Sequence, residues 1–243
     1  MQIRRWHRPG WFAVLLTLAG VAFFVCLGVW QVDRAHQKIR LFAEFAGAAQ
    51  QKPVTLDEAR RAVIPSRYPL VRVSGHYDAT HAYVLDNQSR DGHSGVMVFD
   101  VFEPDDGGNA LLVNRGFLAR DAQDRDPAPP APPQGGRILT GLYAPPPGSG
   151  LRLGGDALAR QKTWPKTSIY IDLDEIARDL RQPLDPRVLL LLPASGSAFV
   201  REWKPQVFPP ARHYGYALTW FTFAFVAVVM FVILHWRVPE NTR

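Results

Sequence analysis

Arg212 and His213 stand at the start of the second of two long apolar segments, and their chemistry suits a cofactor. A neutral imidazole is a good axial ligand for haem iron, small and aromatic side chains suit a flat porphyrin, and an arginine can meet its propionates. The same residues are equally typical of a membrane surface, where Tyr and Trp form a belt and a histidine reaches water. The residues that would share one face of a helix here are His213, Tyr216, Ala217, Trp220 and Ala224.

No other group of residues has the spacing of a catalytic or metal site. Ser195 lacks the G-x-S-x-G pattern, and the sequence contains no phosphate-binding glycine loop and no H-E-x-x-H motif. His76, His81 and His93 are loosely spaced, which favours exposed histidines over a metal site. Cys26, the only cysteine, lies in the first apolar segment and excludes thiol oxidoreductases, c-type haem proteins and cysteine-based copper chaperones. We therefore expect a protein that is not an enzyme.

Two apolar segments must position these residues. Trp11–Trp30 and Tyr214–Trp236 contain no Asp, Glu, Lys or Arg. About 20 helical residues cross a hydrocarbon core of about 30 Å, so each segment predicts a transmembrane helix. The predicted order is a tail over 1–10, a first span over 11–30, an external domain over 31–212, a second span over 213–236 and a tail over 237–243.

The net charge of +6 belongs mainly to the two tails. Without the five arginines that flank the spans and the one acid among them, 23 basic and 21 acidic side chains remain. A domain so nearly balanced has no basic stripe for phosphates, which argues against nucleic-acid binding. Positive flanks mark cytoplasmic ends, so we expect both termini inside the cell and the domain outside. The flanking arginines are Arg4, Arg5, Arg8, Arg237 and Arg243.

The first apolar segment has the length of an anchor. It is longer than the apolar region of a signal peptide, which spans about 7–15 residues. The nearest small-x-small cleavage pattern, Ala46-Gly47-Ala48, lies well beyond its end. No Arg- and Ser-rich presequence comes before it. We therefore expect a bacterial inner membrane, with two spans in the lipid bilayer and the domain in the periplasm.

The segment between the spans reads as a small antiparallel β-rich (α+β) domain. After Trp30 the first helix should continue outward until about Pro53. Beyond it, alternating apolar and polar residues predict strands. The turn at 78–80 should let Ala82–Leu85 pair back onto Leu70–Tyr77, and an Asp/Gly cluster joins the next two strands as a hairpin. The other predicted elements are strands Gly95–Phe102, Ala110–Leu118, Arg137–Tyr143 and Val188–Leu192 and a helix over Asp172–Leu180.

Three motifs in this order resemble the Surfeit locus protein 1 family. The resemblance implies a membrane factor with two spans that helps to assemble haem-copper cytochrome c oxidase. It also implies transient binding of haem a and help with its insertion into oxidase subunit I, with haem a synthase as a further partner. The motifs are Leu27–Arg34 (LGVWQVDR), Val113–Phe117 (VNRGF) and His213–Phe221 (HYGYALTWF).

Carried over residue by residue, the resemblance makes His213 the candidate ligand of the haem iron. Trp30, Gln31 and Arg34 leave the first span at the same outer leaflet and could flank the site together with Arg212, Tyr216 and Trp220. Asn114 and Arg115 belong to the second motif, where a structural role, pairing with a loop or a carboxylate, is at least as plausible as contact with haem. The sequence departs from the family pattern at Asp100-Val101, where many relatives have Thr-Pro.

A second function stays open at this point. The chain could be a scaffold that stabilises subunit I during haem insertion and binds no cofactor itself. The two functions differ in whether the purified protein carries haem a.

Overall fold

The computed structural model describes residues 5–62, 68–147, 157–205 and 207–237. They fall into two compact units. One unit contains the two ends of the chain, up to Phe42 and from Val207 onward, and the other contains 43–206.

The terminal unit is built on two long helices. Helix α1 spans Trp11–Ala48 and helix α4 spans Pro210–His235. Both are long and apolar enough to cross a membrane, and little of their apolar surface is buried within the chain. This confirms two membrane-type helices at the two ends, and α1 continues past Trp30 as predicted. A short antiparallel pair joins the segment before α1 to the segment after α4. It consists of strand β1 (Arg5–Trp6) and strand β9 (Trp236–Arg237).

The second unit is a seven-stranded sheet. Its strands are β2 Val54–Thr55, β3 Leu70–Arg90, β4 His93–Pro104, β5 Ala110–Ala119, β6 Arg137–Ala144, β7 Lys166–Ser168 and β8 Leu184–Leu191. Five of them close on themselves in the order β3-β4-β5-β8-β6, because β6 pairs with both β3 and β8. Within this closed order β5 and β8 run parallel and the other pairs are antiparallel. The short strands β2 and β7 each pair with β3 in parallel.

Two short helices cover the apolar core of this unit. Helix α2 (Leu56–Arg61) buries Leu56 among side chains of β3, β5, β6 and β8. Helix α3 (Leu173–Leu180) buries Ile176 against a second cluster that includes Phe99 and Phe117. The carboxylate of Asp172 accepts hydrogen bonds from two backbone N–H groups of the first turn of α3, which explains why the helix begins there.

The structure confirms the predicted β4–β5 hairpin and the predicted strands at β6 and β8. The prediction of a turn at 78–80 is wrong. Leu70–Arg90 is one continuous strand, and both of its halves pair with β4. The registers Tyr77↔Phe102 and Ala82↔Asp100 leave four residues opposite one, which is a bulge. The carboxylate of Asp78 accepts the backbone N–H groups of Thr80 and His81 at 2.7 and 3.2 Å. Because this side chain satisfies the amides that the bulge leaves unpaired, the strand continues without reversing.

Two of the three histidines of this region lie beside carboxylates. Nε2 of His76 lies 3.1 Å from a carboxylate oxygen of Glu103, and the His81 ring contacts the Asp78 carboxylate. Within the described ranges, no group of three or more His, Cys, Asp or Glu side chains could hold a metal ion.

Candidate functional site

His213 and Gln31 meet between the two long helices. Nδ1 of His213 lies 2.9 Å from Oε1 of Gln31, whose side chain is buried. An amide oxygen can only accept, so Nδ1 carries the proton, and in the neutral ring Nε2 keeps its lone pair. Nε2 is buried and has no hydrogen-bond partner among the described residues. The first and third motifs are thus joined by a contact that leaves one imidazole nitrogen free to act as a ligand.

Small residues bring the two helices close enough for this contact. A Cβ added to Gly28 would lie 2.5 Å from a ring carbon of Phe221, so a larger residue there would have to displace this ring. Ala35 of α1 and both Ala217 and Ala224 of α4 are buried. Small side chains of this kind let helix backbones approach closely in an apolar environment.

The two helices present stripes of identical spacing. Phe24, Gly28, Gln31 and Ala35 lie at offsets of 4, 7 and 11 along α1. His213 and three further residues of the predicted face have the same offsets along α4. Phe24 and Gly28 had no predicted role, but their spacing relative to Gln31 is a helical signal that was present in the sequence. The residues of the α4 stripe are His213, Ala217, Trp220 and Ala224.

Much of the predicted cofactor face of α4 is packed against α1. Trp220 stacks on Phe24, with ring centres 6.0 Å apart and an angle of 20° between the planes. Ala217 and Ala224 are 3% and 6% exposed. Tyr216, which was predicted on the same face, is 51% exposed. The structure therefore separates this face into a part covered by α1 and a part that is open.

The remaining predicted residues are exposed: Trp30 and Arg34 lie in the middle of α1, and Arg212 lies in the first turn of α4. The Arg34 guanidinium lies 5.6 Å from the centre of the Trp30 ring and donates to the Gln37 amide. The Arg212 guanidinium lies 4.3 Å from the centre of the Phe208 ring. Among the contacts of the described residues, Arg34 uses one N–H donor, on Gln37, and Arg212 uses none, so both guanidinium groups keep donors available for an anion.

The second motif forms a β-bulge in the other unit. Val98 pairs with Gly116 and Phe99 pairs with Asn114, which makes Arg115 the extra residue of β5. The Asn114 amide oxygen accepts the backbone N–H of Gly116 at 3.0 Å. A bulge of this kind redirects the side chain of the extra residue.

The redirected Arg115 joins a carboxylate and a loop. Its Nη1 donates to Asp100 at 2.8 Å and to the backbone oxygen of Pro130 at 2.6 Å, and its guanidinium lies over the Phe199 ring. Burial raises the pKa of Asp100 to about 6, although the neighbouring Arg115 opposes the rise. These are the loop and carboxylate contacts expected for a structural role. Asp100, which supplies this carboxylate, is one of the two residues at which the sequence departs from the family pattern.

Gly116→Ala should destabilise the β-rich unit strongly. Gly116 has φ +126°, and an added Cβ would lie 2.8 Å from both Cβ of Phe199 and the backbone oxygen of Val200. The unfavourable φ and the close contacts together should lower the free energy of unfolding by about 2–4 kcal/mol. Thermal unfolding of the purified chain in detergent, followed by near-ultraviolet circular dichroism, measures the loss.

Gly135→Ala is the matched control. Gly135 also has a positive φ of +78°, but nothing lies within 4 Å of an added Cβ. Only the cost of the positive φ should remain, which lowers the free energy of unfolding by about 1 kcal/mol. Equal losses for the two variants would show that the close contact at Gly116 contributes nothing.

Comparison with known proteins places the three motifs in one family. Residues 18–225 match the sequence model of the SURF1 family. Surfeit locus protein 1 of Xenopus tropicalis is 30% identical over 143 residues, which cover 53% of this chain and 46% of that protein. Surfeit locus protein 1 of Mus musculus is 32% identical over 124 residues, 45% of this chain and 39% of that protein. The cytochrome oxidase assembly protein SHY1 of Saccharomyces cerevisiae is 26% identical over 97 residues, 39% of this chain and 25% of that protein. The chain thus spans less than half the length of these relatives.

Proposed function

The chain belongs to the SURF1 family, and we propose on this basis that it is an assembly factor for haem-copper cytochrome c oxidase. The name of the yeast relative describes assembly of cytochrome oxidase. The family match begins at residue 18 within α1 and ends at residue 225 within α4, so it includes the β-rich unit and all three motifs. The proposed partner is oxidase subunit I.

The proposed cargo is haem a, and His213 is its proposed iron ligand. The observation that carries this proposal is the free, buried Nε2 of His213. When haem a is bound, its iron accepts a lone pair from an imidazole nitrogen. A buried acceptor without a partner costs about 1–3 kcal/mol, so a ligand for Nε2 removes a penalty that the empty protein carries.

Gln31 acts through His213. By accepting a hydrogen bond from Nδ1–H, its amide oxygen favours the tautomer that presents a lone pair at Nε2, and it orients the ring. Carbonyl groups behind metal-binding histidines act in this way in many proteins. The exposed guanidinium groups of Arg34 and Arg212 are the proposed partners of the propionates, and the exposed rings of Trp30 and Tyr216 offer aromatic surface to the macrocycle. Haem a synthase, as the source of the cargo, is a further proposed partner.

A scaffold without a cofactor is the second candidate function. It is favoured by the packing of Ala217, Trp220 and Ala224 against α1, because these residues are not free to contact a macrocycle. In this function the exposed apolar sides of α1 and α4 contact subunit I in the bilayer.

His213→Ala should remove or shift the Soret band of the protein when it is produced together with the enzymes that make haem a. Alanine supplies no lone pair for iron, yet it suits a helix. Gln31→Ala should weaken haem binding, because the ring loses the group that fixes its tautomer. Trp220→Phe should weaken it only slightly, since a phenyl ring can still pack on Phe24 and hold α4 against α1. Absorption spectra of the purified proteins measure these effects.

His235→Ala is the matched control for the ligand. His235 lies on the same helix, about 33 Å away at 1.5 Å per residue, and bonds a backbone oxygen of its own helix. It should leave the spectrum unchanged. A wild-type protein without a Soret band favours the scaffold, and a His213→Ala protein with an unchanged band contradicts the ligand role.

Deletion of the gene should lower the amount and activity of haem a-containing oxidase in the cell membranes. Growth through other oxidases should persist, because an assembly factor changes the yield of the enzyme and not its chemistry. Difference spectra and oxygen consumption of the membranes measure both quantities. Normal haem a content and oxidase activity, in a strain without a second copy of the gene, would contradict the assembly role.

The proposed location is a bacterial inner membrane with both termini in the cytoplasm. It is supported by the two apolar helices and by the arginines in both tails. A reporter that is active only in the periplasm should be active when inserted after Pro129 and silent when fused after Arg243. Activity of the C-terminal fusion would overturn this arrangement.

A further inference from the structure

A pocket of about 430 Å³ opens on the β-rich unit where strand β8 ends at Leu191. Strand β5 leaves β8 after Asn114 to form the bulge, and β6 extends beyond the end of β8 at its Arg137 end. The pocket lies in this gap between β5 and β6. Its polar lining consists mainly of Tyr77, Arg115, Arg137 and Arg201.

The arginines of the pocket outnumber the carboxylates that pair with them in the described part of the chain. No Asp or Glu is among the lining residues, and Asp100 behind Arg115 is the carboxylate paired with these arginines in the described part of the chain. Arg201 donates instead to the backbone oxygens of Arg115 and Leu192, at 2.7 and 2.9 Å. The side chain of Arg137 makes no hydrogen bond or ion pair within the described ranges. Burial, together with the nearby Arg115, lowers the pKa of Arg201.

Three guanidinium groups around one concave site favour an anion. Cations of like charge repel each other, and the buried Arg115 and partly buried Arg201 also lose hydration. An oxyanion compensates both effects. Guanidinium groups match the geometry of carboxylate and phosphate oxygens. The hydroxyl of Tyr77 can donate as well, since burial raises its pKa to about 12 and keeps it protonated at neutral pH.

The rest of the lining indicates an organic anion. An apolar wall of the pocket is formed by Pro133, Leu139 and Leu191. Inorganic phosphate has no apolar part that such a wall could contact. The volume falls in the range of small-molecule sites, about 300–1,000 Å³. We propose that this pocket binds a small organic carboxylate, held by Arg115, Arg137 and Arg201. The proposal concerns the β-rich unit alone and does not depend on haem binding by His213.

Calorimetric titration of the full chain in an uncharged detergent, at constant ionic strength, tests the proposal with citrate as the probe. We expect saturable binding of citrate to the wild type. Arg137→Ala should weaken it about tenfold, because one charge-assisted hydrogen-bonding group is lost. Arg137 is exposed and braces no other residue, so the variant should unfold at the wild-type temperature.

Arg61→Ala is the matched control. It removes the same charge from the same unit, at an exposed position outside the pocket. Its affinity for citrate should equal that of the wild type. An equal loss of affinity in both variants would show that the effect depends only on net charge, and it would overturn the proposed site.

Two further titrations test the class of ligand. Inorganic phosphate and a short oligoglutamate peptide should both bind more weakly than citrate. Absence of saturable citrate binding, or wild-type affinity in Arg137→Ala, would overturn the proposal. Tighter binding of phosphate would indicate an inorganic anion site, and tighter binding of the peptide would indicate a docking site for an acidic partner; either result would overturn the assignment to a small organic carboxylate.

Discussion

The hydrogen bond between Gln31 and His213 is the polar constraint on a helix pair that is otherwise built from apolar and small residues. Away from water, an amide or imidazole without a partner is unfavourable by several kcal/mol, so each of these two side chains requires the other. Their bond fixes the register of α4 on α1. Gly28 and Ala217 then lie where only small residues allow the backbones to approach.

The second motif also depends on a buried polar contact, here within the β-rich unit. The bulge at Arg115 releases one residue from the ladder, and Asn114 and Gly116 stabilise the backbone that makes this possible. The released guanidinium then needs a buried partner, which Asp100 provides. The departure of this sequence from the family pattern at position 100 is therefore not a defect. It supplies the carboxylate that compensates a buried charge.

Elements whose signal is local could be predicted from the sequence, and those that depend on distant pairing could not. The two apolar helices, the β4–β5 hairpin and the cap at Asp172 each follow from neighbouring residues. The bulge at Asp78 was mistaken for a turn, because an Asp-Ala-Thr segment binds its own backbone amides in either structure. The parallel pair of β5 and β8 joins segments about 70 residues apart, which alternation of residue types does not reveal. Gln31 and His213 were both predicted at the candidate site, but their direct bond required the register of the two helices.

The contact that supports haem binding and the contacts that support a scaffold lie on the same face of α4, and this arrangement suits a protein that releases its cargo. Nε2 of His213 is buried and unpaired, while Trp220 and the alanines below it are packed against Phe24 and α1. If haem a binds at Nε2, it must compete with part of this packing. The helix pair regains these contacts when the cargo leaves, so the regained packing offsets part of the free energy that binding at Nε2 provides. A site of this kind binds a macrocycle more weakly than an open, preformed pocket does. The proposed transfer to the oxidase requires weak binding, because a tight site on the donor would oppose delivery.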